Sequence, residues 1–169
     1  WIVTGVQTLF RSKQYWPNDL TLYARFKLGA TCEMELEAHG EFETFSALHT
    51  YFNVGDIDAV KVSGLGDRYI DKVNDAKEGV LTDGVQTFPD RTDRVYLNPE
   101  ACSVIHDGAL KRTIDVIHHH HCNVVGWNPG PALSQAMADM PDDGYKTFVC
   151  VETARVTNPQ KAKIGRAHV

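Results

Sequence analysis

Apolar and polar residues alternate through the first part of the chain. From Leu20 to Leu28 the even positions Leu20, Leu22, Ala24, Phe26 and Leu28 are apolar, and Thr21, Arg25 and Lys27 between them are polar, with Tyr23 the one bulky exception. A period of two predicts a half-buried strand. The pattern resumes after Gly29-Ala30, with Cys32, Met34, Leu36 and Ala38 on one side and Thr31, Glu33, Glu35 and Glu37 on the other. Together the two runs predict a hairpin that buries its even-numbered residues. Arg25 and Lys27 fall across from the glutamates, where they predict a solvated face of weak ion pairs.

Further short β-rich runs are expected at residues 42–52, 58–62, 93–97, 113–117, 122–127 and 147–154, separated by turn-forming Gly, Asp, Asn and Pro. One helical pattern stands out, Leu133 to Met140, with Leu133, Ala136, Met137 and Met140 on a face read as core packing, Pro131 before it and Pro141 as its stop. Many strands with one short helix predict an all-β fold, a mainly antiparallel β-sandwich. Without an internal repeat or a linker, residues 1–169 read as a single domain.

Composition narrows the partners. The chain is 43% hydrophobic and 23% charged, as ordinary soluble domains are. The net charge of −5, with Lys and Arg scattered, argues against nucleic acid as a partner. No apolar run approaches the ~20 residues of a spanning helix. The start, Trp1-Ile-Val-Thr-Gly, lacks the charged region of a signal peptide, so no membrane partner and a cytoplasmic location are expected. Cys32, Cys102, Cys122 and Cys150 form no CxxC pair, which favours reduced core thiols over disulfides or a zinc knuckle. His118 to His121 invite a zinc reading. Successive strand residues point to opposite faces, so the run is expected at a surface or strand end, with no metal. His39, His106 and His168 have no context that raises them above background.

Two positions suggest chemistry. His49 lies in Ala47-Leu-His-Thr-Tyr-Phe-Asn-Val-Gly-Asp56, an imidazole among aromatic and apolar strand formers. Glu152 ends the strand-like run from Tyr145. An acid and a base on two strands suggest an enzyme, because an imidazole exchanges protons near neutrality and partial burial raises a carboxylate into the same range. By residue type alone, His49 is more often a satisfied core or edge histidine than a catalyst, and Glu152 more often a surface charge.

Several segments, in one order, resemble the hexose-6-phosphate mutarotase (glucose-6-phosphate 1-epimerase) branch of the aldose 1-epimerase family. They are Ala47-Leu-His-Thr-Tyr-Phe52, Val60-Lys-Val-Ser-Gly-Leu65, Thr92-Asp-Arg-Val-Tyr96, Val125-Gly-Trp-Asn-Pro129, Met137-Ala-Asp-Met-Pro-Asp-Asp-Gly-Tyr-Lys146 and Val149-Cys-Val-Glu152. The resemblance implies the family's large antiparallel β-sandwich, the galactose-mutarotase-like supersandwich. It also implies an isomerase that interconverts the α and β anomers of a hexose 6-phosphate without metal or cofactor. In that reading His49 is the acid, Glu152 the base and Asp93 the substrate-binding carboxylate; the partner is a small-molecule sugar or sugar phosphate. Family members are nearly twice as long, so the chain is expected to be an incomplete C-terminal portion. The arginines that hold the sugar phosphate would then fall outside it, and the family's last strand would lie beyond Val169. Gly126 departs from the family motif. Tyr51 and Trp127 are aromatic candidates for a sugar face or for the core.

Two other functions stay open: an aldose 1-epimerase acting on an unphosphorylated sugar, and a non-catalytic carbohydrate-binding module. A two-carboxylate glycosidase is less favoured, because the best-placed pair is His and Glu.

Overall fold

The computed structural model describes the backbone of residues 2–5, 21–162 and 167–168, and the side chains of residues 21–161; Leu20 lies outside them. The strands in chain order are β1 (Ile2–Gly5), β2 (Thr21–Leu28), β3 (Cys32–His39), β4 (Phe42–Leu48), β5 (Tyr51–Asn53), β6 (Val60–Ser63), β7 (Arg68–Asp71) and β8 (Lys77–Val80). They continue with β9 (Val85–Gln86), β10 (Thr92–Tyr96), β11 (Cys102–Asp107), β12 (Arg112–Ile117) and β13 (Asn123–Asn128). A helix α1 (Gly130–Ala136) precedes β14 (Phe148–Ala162) and β15 (Ala167–His168). All strand pairs are antiparallel, so the fold is the expected all-β class.

Three sheets form. One runs β4-β14-β13-β10-β7-β8, with β5 also paired to β14; a second runs β12-β11-β6-β9; the third is β1-β2-β3-β15. The main core lies between the first two. Val60, Val62 and Ile105 from the second sheet meet Tyr96, Val124, Val149 and Val151 from the first, and all are buried. Val95, Val125 and Ala154 form a smaller cluster, joined by Ile70, Trp127 and Val156. This two-layer arrangement is a β-sandwich.

The hairpin adopts the expected register but not the expected burial. Leu22 pairs Ala38, Ala24 pairs Leu36 and Phe26 pairs Met34, so the even residues share a face. Lys27 lies 2.9 Å from Glu33 and Arg25 3.1 Å from Glu35, across the strands as predicted. Yet Phe26 is 46% and Leu28 54% exposed, whereas Glu37, on the polar side, is 1% exposed. Leu22, Met34 and Leu36 are half-buried. The physical reason is that β1 and β15 extend this sheet edge to edge, which satisfies backbone groups without adding a layer over Phe26 and Leu28. Arg25 at 2.5 Å and His39 at 2.7 Å hold the buried Glu37 carboxylate.

Other expectations shift in detail. The run 42–52 is two strands rather than one, and Ile57–Ala59 is a single 3-10 turn before β6. Its cap is Asp56, whose carboxylate accepts from Asp58 N. The helix ends at Ala136 because Met137 turns to extended backbone; what it buries is Gly130 and Ser134, not the Leu and Met face. Ser134 Oγ donates to Pro141 O at 3.0 Å, fastening the following loop back onto the helix. All four cysteines are free, but Cys150 alone is a core thiol, and Cys32 is exposed. Among the described residues no helix is long and apolar enough to cross a membrane.

Candidate active site

Strand β14 sits inside its sheet, with β13 on one side and β4 and β5 on the other. Successive side chains on a strand alternate between faces, and residues directly opposed across a ladder share one. Phe148, Cys150 and Glu152 therefore point one way, and Val149, Val151 and Thr153 point into the main core. Register carries the first face across the sheet. Glu152 stands opposite Val125, which stands opposite Val95; Cys150 stands opposite Trp127, which stands opposite Asp93.

His49 occupies a break in the ladder. Leu48 of β4 pairs Thr153 and Tyr51 of β5 pairs Cys150, so one register continues through the break and sets His49 opposite Glu152. The expectation of His49 inside a strand is thus corrected: it lies between two strands. The break frees the imidazole from the pleat, and its Nε2 comes within 3.3 Å of Glu152 Oε1, with side-chain exposures of 47% and 6%. Aromatic rings fix the other side of the imidazole. Tyr51 stacks on it at 5.0 Å, Trp127 meets it edge-on at 5.5 Å, and Phe148 backs Trp127 at 5.9 Å. One side of the ring is packed and the other faces solvent.

Burial pushes Glu152 up from 4.5 to about 7; the Asp93 carboxylate adds to the rise and the Lys72 ammonium opposes it. The carboxylate is thereby poised to gain or lose a proton near neutrality. Burial, with the Glu152 charge second, pushes the Cys150 thiol upward, so it stays protonated. Burial also raises Tyr51, with Cys150, Glu152 and Asp139 contributing in that order.

All three predicted site residues, His49, Glu152 and Asp93, come together on this sheet face. Sequence reasoning missed Lys72, Phe148 and Asp139. Phe148 was visible in the alternation Phe148, Cys150, Glu152; Lys72 is placed by long-range register, which no local pattern shows.

The histidine run is corrected more sharply. It forms the loop between β12 and β13. His118 is 3% exposed instead of superficial. Its Nδ1 lies 2.8 Å from Thr153 Oγ1 and its Nε2 3.0 Å from Ser103 Oγ, joining β14 to β11 directly behind Glu152. Burial pushes this histidine down to about 4, helped by His121 and His119, so it is neutral at ordinary pH. Among the described residues no group of three or more His, Cys, Asp or Glu is arranged to hold a metal ion. Gly126 also has a reason: a Cβ there would stand 3.1 Å from Tyr96 Cε2 on the core side of β13.

Comparison with known proteins follows the same residues. The family model for aldose 1-epimerase matches residues 4–167. A Salmonella typhimurium protein provisionally named glucose-6-phosphate 1-epimerase is 78% identical over 157 residues, covering 93% of this chain and 53% of its own length. An Escherichia coli protein with the same provisional name is 75% identical over 150 residues, or 89% of this chain and 51% of its own. The crystal structure of a Salmonella typhimurium protein provisionally described as a mutarotase superposes with a TM-score of 0.90 at 73% identity, covering 99% of this chain and 56% of that one. The chain thus spans about half the length of these relatives. With the family model matched over nearly all of its residues, the chain belongs to the aldose 1-epimerase family.

Proposed function

We propose that the protein interconverts the α and β anomers of a hexose 6-phosphate, with Glu152 as base, His49 as acid and Asp93 as a sugar-binding carboxylate. The observation that carries this reading is the contact of 3.3 Å between His49 Nε2 and Glu152 Oε1 at the solvent-open side of the sheet. Anomerisation removes a proton from the C1 hydroxyl and delivers one to the ring oxygen. Both oxygens are bonded to C1, so the two proton-transfer groups must converge on a single carbon, as an adjacent imidazole and carboxylate do. The ring opens, C1 turns about the C1–C2 bond, and closure returns both protons.

A carboxylate at about 7 is basic enough to take the hydroxyl proton and is largely ionised slightly above neutrality. Ionised Asp93 accepts hydrogen bonds from ring hydroxyls, and the apolar surface of Trp127 and Tyr51 suits the C–H face of a pyranose. The phosphate follows from the provisional names of the two bacterial relatives. A sugar-phosphate substrate carries with it the expectation of a cytoplasmic location.

Saturation-transfer NMR on glucose 6-phosphate, with glucose alongside, tests the proposal. Anomer exchange is expected to be faster with the phosphate ester, and His49→Asn and Glu152→Gln are each expected to slow it at least about a hundredfold. Exchange in both variants at the unsubstituted rate would remove the acid/base reading and leave the carbohydrate-binding alternative. Equal rates on glucose would move the substrate to an unphosphorylated aldose.

A further inference from the structure

The proton transfers leave one group on this face without a role. In the β7–β10 ladder Arg94 pairs Asp71 and Val95 pairs Ile70, so one further step sets Lys72 opposite Asp93. Lys72 N donates to Asp93 O at 2.8 Å, which continues the ladder to that pair. The row Lys72, Asp93, Trp127, Cys150, Tyr51 therefore crosses the sheet on one face, beside the row Ile70, Val95, Val125, Glu152, His49.

Two carboxylates thus share a face with a buried member. Like charges held together oppose joint ionisation, and a cation near both restores it. The charged and titratable groups on the face of Glu152 are His49 and Tyr51 from the β4–β5 segment, Cys150 from its own strand, Asp93 from β10 and Lys72 beside β7, with Asp139 acting on Tyr51. On β8, Glu78 is taken up by Arg68 at 2.5 Å. Strand β13 contributes Val125 and Trp127, which do not titrate.

We propose that Lys72 is the charge-balancing positioning residue of this site, the cation on the same sheet face as the Asp93 and Glu152 carboxylates that offsets their combined negative charge. The electrostatics at Glu152 agree in sign, since Asp93 raises it and Lys72 lowers it. The inference rests on the anomerase reading only for its kinetic consequence. The charge balance itself is a property of the sheet.

The test is a carboxyl-carbon NMR titration of protein carrying carbon-13-labelled glutamate, with Glu152→Gln identifying the Glu152 resonance. Lys72 is exposed, so Lys72→Met is expected to fold, and its Glu152 midpoint is expected to rise by about half to one pH unit. Lys72→Arg should restore it. If anomer exchange is catalysed, the acidic limb of kcat/KM should move by the same amount in Lys72→Met and return in Lys72→Arg. A Glu152 midpoint unmoved in Lys72→Met, or one raised equally in Lys72→Arg, would overturn the proposal. A midpoint that moves in a protein without anomer exchange would sink the anomerase reading and leave the role of Lys72 standing.

Discussion

The two faces of β14 make opposite use of adjacent residues. On one, Glu152 is a buried carboxylate beside a half-exposed imidazole, pushed up to about 7 by burial first and by Asp93 second. On the other, Thr153 and Ser103 each hold one ring nitrogen of the buried His118 imidazole, and burial pushes that histidine down to about 4. Each face therefore keeps one buried group neutral through part of the ordinary pH range. The difference lies in access. His118 is enclosed with both ring nitrogens engaged, which suits a fastener between sheets; Glu152 lies against the half-exposed His49 imidazole, which suits proton exchange with a ligand. A strand only one residue further along serves stability instead of chemistry.

Replacing one residue on each face should break that comparison most visibly. Glu152→Gln keeps the shape and removes a charge whose burial is costly. It should gain roughly 1–3 kcal/mol of stability at pH 8 while anomer exchange is lost. Val151→Ala, from a side chain 1% exposed, should lose on the order of 1–3 kcal/mol with turnover kept. Urea unfolding at pH 8 measures both. If Glu152→Gln were the less stable of the two, the carboxylate would be part of the scaffold, and the contrast between the faces would fail.

The pH dependence of stability sharpens the same point, because the signs are opposed. Glu152 is raised in the fold from 4.5 to about 7, so its contribution is fully present below about 4.5 and is lost as pH rises through about 7. His118 is lowered from 6.5 to about 4, so its contribution is present above 6.5 and is lost as pH falls toward 4. Each is worth on the order of 3 kcal/mol at most. Between about pH 5 and 6.5 the two slopes offset one another. Thermal melts across that window should show that Glu152→Gln loses stability on acidification more steeply than the unsubstituted protein, and that His118→Gln does the reverse. Parallel curves for all three would mean that neither group is displaced in the fold.

These two residues also mark what the sequence discloses. Glu152 and His49 were legible because an ordered set of segments resembled a family, and Phe148, Cys150 and Glu152 share one side of a readable alternation. His118 was not legible. Its partners Ser103 and Thr153 lie 15 and 35 residues away, and a run of four histidines gives no sign of which one turns inward. The strand class was clear wherever apolar residues alternate, as in β2 and β3. It failed for β11, whose buried positions include Ser103 and Asp107, and for β8, which carries Lys77, Glu78 and Gly79. The hairpin gave correct register with incorrect burial, since periodicity fixes which residues share a face and does not say whether another layer covers it.

Gly126 gives the smallest effect and the finest test of the two-face picture. It lies on β13 opposite Val151, on the core side, while its neighbour Trp127 faces the site. A Cβ added there would approach Tyr96 Cε2 to 3.1 Å, close enough that the ring must give by a few tenths of an ångström. That ring is 0% exposed and is tethered, because Tyr96 OH donates to Gln86 Oε1 at 2.7 Å. Overpacking against a tethered ring is expected to outweigh the entropy gained by removing a glycine, for a net loss of about 1 kcal/mol. Anomer exchange should be unchanged, since the strain falls on the core side. In a Tyr96→Phe background the tether is absent, the ring can shift, and Gly126→Ala should cost less. A double-mutant cycle by urea unfolding reads this as coupling between the two positions. Gly126→Ala with full stability and no coupling would show that the core beneath the site yields freely, and the glycine would then need another explanation.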